Sequence, residues 1–262
     1  MERRESTREM LAPPERRPWP LPEQPWVMRQ SWRDLLFMHW PLPPEQVRPL
    51  VPAALPLDTW EGEAWVSVVP FRMRGVTGRG LPAFPWLSSF PELNVRTYVT
   101  LGGKPGVYFF SLDAGNILAV WAARLAYHLP YFHADMLVWR EAEWITYCSH
   151  RVHRGARPGD LLARYRPTGP VQEAPPGSLD AWLSDRYALY TVDRRGHPLR
   201  AEIDHATWPL QPAEAEIFRD TMAAASGLAL PGAPALLAFA RRVDMHAWLP
   251  RRVDTTHSDA HI

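Results

Sequence analysis

The chain has 262 residues, 46% of them hydrophobic and 22% charged, so it is long enough to bury a sizeable core in one large or two small domains. Net charge is +1, and arginine pairs at 3–4, 16–17, 194–195, 241–242 and 251–252 are scattered rather than gathered into a stripe, which argues against a nucleic-acid partner. A lone Cys148 excludes a disulfide framework and a cysteine-based metal site.

Residues 1–25 are charged and proline-rich and are expected to form a loose tail, as are residues 250–262, leaving 26–249 as a single domain. The N-terminus carries scattered charges and no apolar core, so no secretory leader is expected. The longest apolar segment, residues 117–129, is too short to span a membrane and contains Arg124. The expectation is a soluble cytoplasmic protein with no membrane partner. The 29 prolines favour many short elements, and the 13 tryptophans suggest a core or cavity walled by large rings.

In chain order, residues 33–40 read as a strand ended by Pro41, and 44–50 as a short helix with proline in its first turn. Residues 65–74 (WVSVVPFRMR) form a strand bent at Pro70. Residues 75–89 make a long loop of the size that often acts as a lid. The clearest strand is 92–101, which alternates Glu92, Asn94, Arg96 and Tyr98 against Leu93, Val95, Val99 and Leu101. A glycine-rich hairpin at 102–106 returns through 107–110. Asp113 is then placed as N-cap of a helix over 114–128 that presents Leu118, Trp121, Leu125 and His128 on one face, and Pro130 ends it. Beyond a loop holding Tyr131, Phe132 and His133, strands are expected at 137–139, 143–152, 162–166, 187–192, 199–206 and 243–248, with helical stretches at 180–184 and 213–225. About ten strands with two or three helices give a β-rich α+β domain built on a closed or nearly closed barrel.

Ten histidines raise the question of a metal. His150 and His153 differ by an odd number within an expected strand and project to opposite faces, and no HExxH motif is present, so no metal and no cofactor are expected. No serine stands in a GxSxG setting, Cys148 sits mid-strand, and no glycine-rich loop leads into a helix. The polar row Glu92, Asn94, Arg96 remains. It either lines a barrel interior, where a carboxylate beside a guanidinium would bind a small carboxylate and move a proton, or it faces solvent. The aromatics Trp86, Phe90, Tyr108, Tyr131 and Phe132 nearby favour a cavity, and His39, His133 and Arg72 are further candidates.

The run at residues 39–75 (HWPLPPEQVRPLVPAALPLDTWEGEAWVSVVPFRMRG), with FPELNVRTYV, GVYFFSLDAGN, YHLPYFHADM, RYALYTVDRRG and HATWPLQPAEAE, resembles the YqjF-like bacterial proteins, the family DUF2071. That family is similar to the acetoacetate decarboxylase-like superfamily, which implies an antiparallel β-barrel or cone with a few peripheral helices around a buried cavity. In those decarboxylases a loop lysine forms a Schiff base with the β-keto acid, and a neighbouring cation keeps its amine neutral. Here, by the position of Pro130, Tyr131 and Phe132 stand where the consecutive lysines would be, and Lys104, the only lysine, lies in a hairpin turn. The resemblance therefore implies the fold without the Schiff-base chemistry. It also implies that Glu92 matches the superfamily's acidic strand residue; no counterpart of its substrate-binding arginine stands near His39, and Arg72 or Arg96 is the candidate for that role. The expectation is a cavity for a small, carboxylated organic ligand, with Glu92 or His133 moving a proton and Arg72, Asn94, Arg96, Tyr108, Tyr131 and His39 contacting the ligand. The alternatives are a non-catalytic binding module or a structural component of a homo-oligomer.

Overall fold

The computed structural model describes residues 16–81 and 88–253. Twelve strands form one continuous sheet in the order β12-β9-β8-β4-β3-β2-β1-β11-β10-β7-β6-β5. They are β1 (Met28–Leu42), β2 (Ala64–Gly78), β3 (Phe90–Leu101), β4 (Lys104–Ala114), β5 (Tyr131–Glu141), β6 (Trp144–Arg151), β7 (Asp160–Pro167), β8 (Ala188–Val192), β9 (Pro198–His205), β10 (Leu210–Asp220), β11 (Leu236–Ala247) and β12 (Arg251–Arg252). Four short α-helices interrupt them: α1 (Pro44–Val47), α2 (Ile117–Tyr127), α3 (Leu179–Ser184) and α4 (Met222–Ala225).

Two strands branch, and the branching closes the sheet twice. The start of β4 pairs with β8 (Val107 with Leu189), while its end pairs with β5 (Leu112 with Tyr131), both in parallel. The first half of β11 pairs with β10, and its second half pairs with β9. One ring therefore runs through nine strands from β4 to β5, and a smaller one runs β9-β8-β4-β3-β2-β1-β11. The two share β1 to β4 and β11. The barrel expected from the sequence is present, with two parallel pairings in an otherwise antiparallel framework.

Because β3 belongs to both rings, each of its faces is enclosed. Leu93, Val95 and Val99 join the main apolar core with Tyr147, Tyr165 and Phe239 on the nine-strand side. Glu92, Asn94 and Arg96 point into the smaller ring. Close approach at β4 and β8 requires a glycine: a Cβ on Gly106 would meet the Ala188 carbonyl oxygen at 2.5 Å. The β3–β4 turn uses Gly102 and Gly103 at φ of 60° and 67°, the left-handed conformation a tight hairpin demands.

Several elements differ from expectation for identifiable reasons. Residues 213–225, rich in alanine and glutamate, lie mostly in β10. There Glu214 and Glu216 stand opposite Arg166 and Arg164 on β7 while Ala213, Ala215 and Ile217 pack on the core, and this alternation with the backbone pairing outweighs helix propensity. The 114–128 helix begins later, capped by Asn116, whose side chain accepts from the Leu118 and Ala119 amides at 3.0 and 3.1 Å. Asp113 is instead a buried residue of β4, paired in two-pronged fashion with Arg151 at 2.6 Å for each bond. Leu118, Trp121 and Leu125, the face expected to pack inward, are exposed. Helix α2 instead buries Val120 and Tyr127, and its half-buried Ala119 and Ala123 border the cavity of the smaller ring, while Ala122 and Ala126 are exposed. Tyr131 to His133, expected in a loop, open β5. The 75–89 loop is shortened by β2 running to Gly78; residues 82–87, with Trp86, lie outside the described residues.

The tails also differ. Residues 1–15 and 254–262 lie outside the described residues, but residues 16–25 pack on the domain. Arg17 is buried, donating to the Ile203 carbonyl at 2.5 Å and to Glu202 at 2.5 Å, and it lies 3.4 Å from the fully buried Asp204. Arg251 and Arg252 pair with β9. Proline-rich composition hid both segments, since their order comes from partners far along the chain. Removing one partner from a buried charge cluster leaves the others uncompensated, a loss of about 3–5 kcal/mol. Arg17→Met should therefore lower the urea unfolding midpoint by a loss of that size; a midpoint within error of the parent would show that the segment is merely laid on the surface.

Candidate functional site

The smaller ring encloses a cavity of about 370 Å³, walled by β1 to β4, β8, β9, β11 and α2. The register sets out its contents in rows. Phe90 pairs with Met73, Glu92 with Phe71, and Asn94 with Val69, so β2 offers apolar side chains opposite the polar row of β3. Glu92 also pairs with Ala114 at the end of β4, close to where α2 begins.

Glu92 is only 2% exposed. Its carboxylate oxygen accepts from the Tyr131 hydroxyl at 3.1 Å, and its main-chain carbonyl accepts from Tyr147 at 2.7 Å. Burial, reinforced by the charge of Asp113 and opposed by the Tyr131 bond, pushes its pKa up to about 8. It therefore holds its proton at neutral pH. Tyr131 is fixed from behind, since Arg124 of α2 donates to its carbonyl at 2.6 Å.

At the other end of the row sit two guanidinium groups. Arg96 lies over the rings of Phe37 and Tyr98, 5.4 and 5.8 Å from their centroids, and makes no ion pair among the described residues. Arg186, at the start of β8, donates to Asp58 at 2.7 Å and to the Trp182 carbonyl at 2.6 Å, and stacks on Trp182 and Tyr98. Burial lowers its pKa, with the Asp58 bond opposing. Arg96 Nε, Arg186 Nη2 and Asn94 Oδ1 are buried without a hydrogen-bond partner among the described residues. His205 completes this end; burial holds its pKa down at about 4, and its ring stacks on Tyr187 at 4.7 Å.

Of the residues expected at a site, Glu92, Asn94, Arg96 and Tyr131 meet in this cavity, and four do not. His39 lies behind its wall, bonded to Ser67 at 2.7 Å, which in turn bonds the Tyr98 hydroxyl at 2.8 Å; burial and Arg96 drive its pKa down to about 3. Tyr108 points to the opposite face of β4 from Val107 and Phe109 and packs in the main core. Arg72 approaches Asp34 at 3.9 Å, away from the cavity. His133 borders a separate outer groove with His150 and Asp160; β5 belongs to the nine-strand ring and meets β4 only through Tyr131 to His133. His153 lies past the end of β6 rather than within it, where its Nδ1 accepts from the His133 amide at 3.2 Å. Arg186, His205 and Trp208 were not among the candidate site residues; they line the cavity from the ends of β8 and β9 and just beyond, and Asp58, the partner of Arg186, is 128 positions away. Lys104 is outside, 3.3 Å from Glu202 at the β3–β4 turn. Among the described residues, no group of three or more His, Cys, Asp or Glu is placed to hold a metal, and no helix is long and apolar enough to cross a membrane.

The barrel has the acetoacetate decarboxylase-like fold, as solved structures show. Acetoacetate decarboxylase from Legionella pneumophila superposes with a TM-score of 0.61 at 13% identity, covering 90% of this chain and 92% of that one. The enduracididine biosynthesis enzyme MppR complexed with pyruvate gives 0.56 at 11%, covering 89% and 93%. The chain belongs to the family DUF2071, described as an uncharacterized conserved protein, whose model matches residues 29–244. The uncharacterized protein YqjF of Bacillus subtilis (strain 168) is 45% identical over 232 residues, covering 88% of this chain and 95% of that protein.

The raised Glu92 pKa has a sign that can be checked. Between its ordinary value of 4.5 and about 8 the folded chain holds a proton that the unfolded chain has released. The contribution of Glu92 to stability is thus full below about 4.5 and lost as pH rises towards 8, at up to ~1.4 kcal/mol per pH unit. Glu92→Gln should flatten that slope in unfolding experiments, and carbon NMR of the carboxyl should give a midpoint near 8, moved higher in Tyr131→Phe. A midpoint below 5 would contradict the buried, protonated acid.

Proposed function

We propose that the cavity binds a small organic carboxylate and that Glu92 exchanges a proton with it, without a covalent amine intermediate. The observation that carries this reading is a neutral, buried Glu92 in the same enclosed space as an Arg96 guanidinium that has no carboxylate partner among the described residues. A guanidinium binds a carboxylate through two parallel N–H donors and gains most where water is excluded. An acid whose pKa lies near the working pH is suited to general acid–base work in either direction. Lys104 sits at a turn outside the cavity, so no amine is placed to form a Schiff base there. MppR, of the same fold, has been captured with pyruvate, a ligand of the chemistry these groups suit.

Proton exchange is the direct test, using pyruvate and acetoacetate in deuterated buffer and following loss of the C–H signals adjacent to the keto group. The parent should accelerate exchange, Glu92→Gln should lose it by about 10²-fold or more, and Arg96→Gln should weaken binding by about tenfold or more. Exchange that survives Glu92→Gln would remove that residue from the chemistry. Binding with no exchange in any form would favour the non-catalytic module.

A further inference from the structure

We propose that the ligand is an amphipathic monocarboxylic acid, its carboxylate gripped jointly by Arg96 and Arg186 and its apolar body extended past Glu92 to the alanine face of α2. This rests on the reading that the cavity takes a carboxylate and specifies the rest of the molecule.

The head site is a built one. Arg186 is 4% exposed and already held by Asp58 and the Trp182 carbonyl, so its fork is oriented; its remaining Nη2 and the Nε of Arg96 are buried donors with no acceptor among the described residues. Both guanidinium groups lie against the Tyr98 ring, within 5.8 Å of its centroid. Two arginines and one aspartate leave a single positive charge, which one carboxylate balances and a dicarboxylate would exceed.

The remainder of the cavity is apolar, and the strand register gives it direction. From Arg96 the row on β3 passes Asn94 and Glu92 to Phe90, with Val69, Phe71 and Met73 opposite, a run of about 20 Å at ~3.4 Å per residue. Ala119 and Ala123 of α2, both half-buried, line the same cavity together with Tyr127, and Leu118, Trp121 and Leu125 of that helix are exposed. A four-carbon keto acid seated on the arginines would leave that wall uncovered, whereas each methylene laid against it should tighten binding about fourfold.

Isothermal titration of the full chain with straight-chain acids from acetate to decanoate at pH 7, with octanamide and the eight-carbon dicarboxylate as controls, separates the parts. Affinity should rise about fourfold per added methylene to a limit, and octanamide and the dicarboxylate should each bind at least tenfold more weakly than octanoate. Arg186→Lys, which keeps a cation beside Asp58, should weaken every acid equally and leave the per-methylene step intact. Ala123→Trp should move the optimum to shorter acids. A flat response from butyrate to octanoate, or an optimum unmoved by Ala123→Trp, overturns the apolar body while leaving the carboxylate reading standing. Octanamide equal to octanoate overturns the carboxylate reading itself. Undiminished binding in Arg186→Lys overturns the shared head site.

Discussion

Strand β3 has no solvent face, and most of the molecule follows from that. Branching at β4 and β11 puts β3 in the wall of two rings at once, so its alternating sequence separates two interiors rather than core from water. The apolar alternates Leu93, Val95 and Val99 fill the larger ring with ordinary close packing. The polar alternates Glu92, Asn94 and Arg96 are forced into an enclosed space where ionisation is expensive unless compensated. One face of a single strand thus stabilises the fold while the other carries the candidate chemistry.

The compensation is uneven along the row. At one end Glu92 meets a hydroxyl and its pKa is raised; at the other Arg96 lies over aromatic faces, and Arg186 is matched by Asp58. Nearby charges that the site does not use are neutralised locally: Asp113 by Arg151, and Asp204 by Arg17 brought in from the N-terminal segment. Asp113 still helps to hold the proton on Glu92. Ion pairs that secure the sheet and groups that define the cavity are therefore electrically coupled through β4.

Helix α2 shows how a local pattern can be read with the wrong side inward. Leu118, Trp121 and Leu125 recur at helical spacing, which ordinarily marks a buried stripe, yet they are exposed. The helix is held instead through Val120 and Tyr127, with Ala119 and Ala123 bordering the cavity, and the periodicity of bulky residues does not say which of them meets the sheet. Likewise the alanine and glutamate run of β10 has the composition of a helix, and its pairing with β7 and β11, with Ala213, Ala215 and Ile217 turned to the core, decides the strand.

The strand over residues 92–101, its hairpin, the family likeness and the loss of the lysine pair were legible in the residues themselves, because alternation, paired glycines and a missing amine are local properties. Glu92, Asn94, Arg96 and Tyr131 were recognisable for the same reason, and the pattern left only their direction open. Which side of β3 was enclosed, and the exclusion of His39, His133, Arg72 and Tyr108 from the cavity, depended on where strands far apart in sequence meet. Arg186 and His205 stood in stretches that carry the family likeness, but nothing local aimed them at a site; they belong to it because β8 and β9 close the smaller ring, and ring closure is a property of the whole chain.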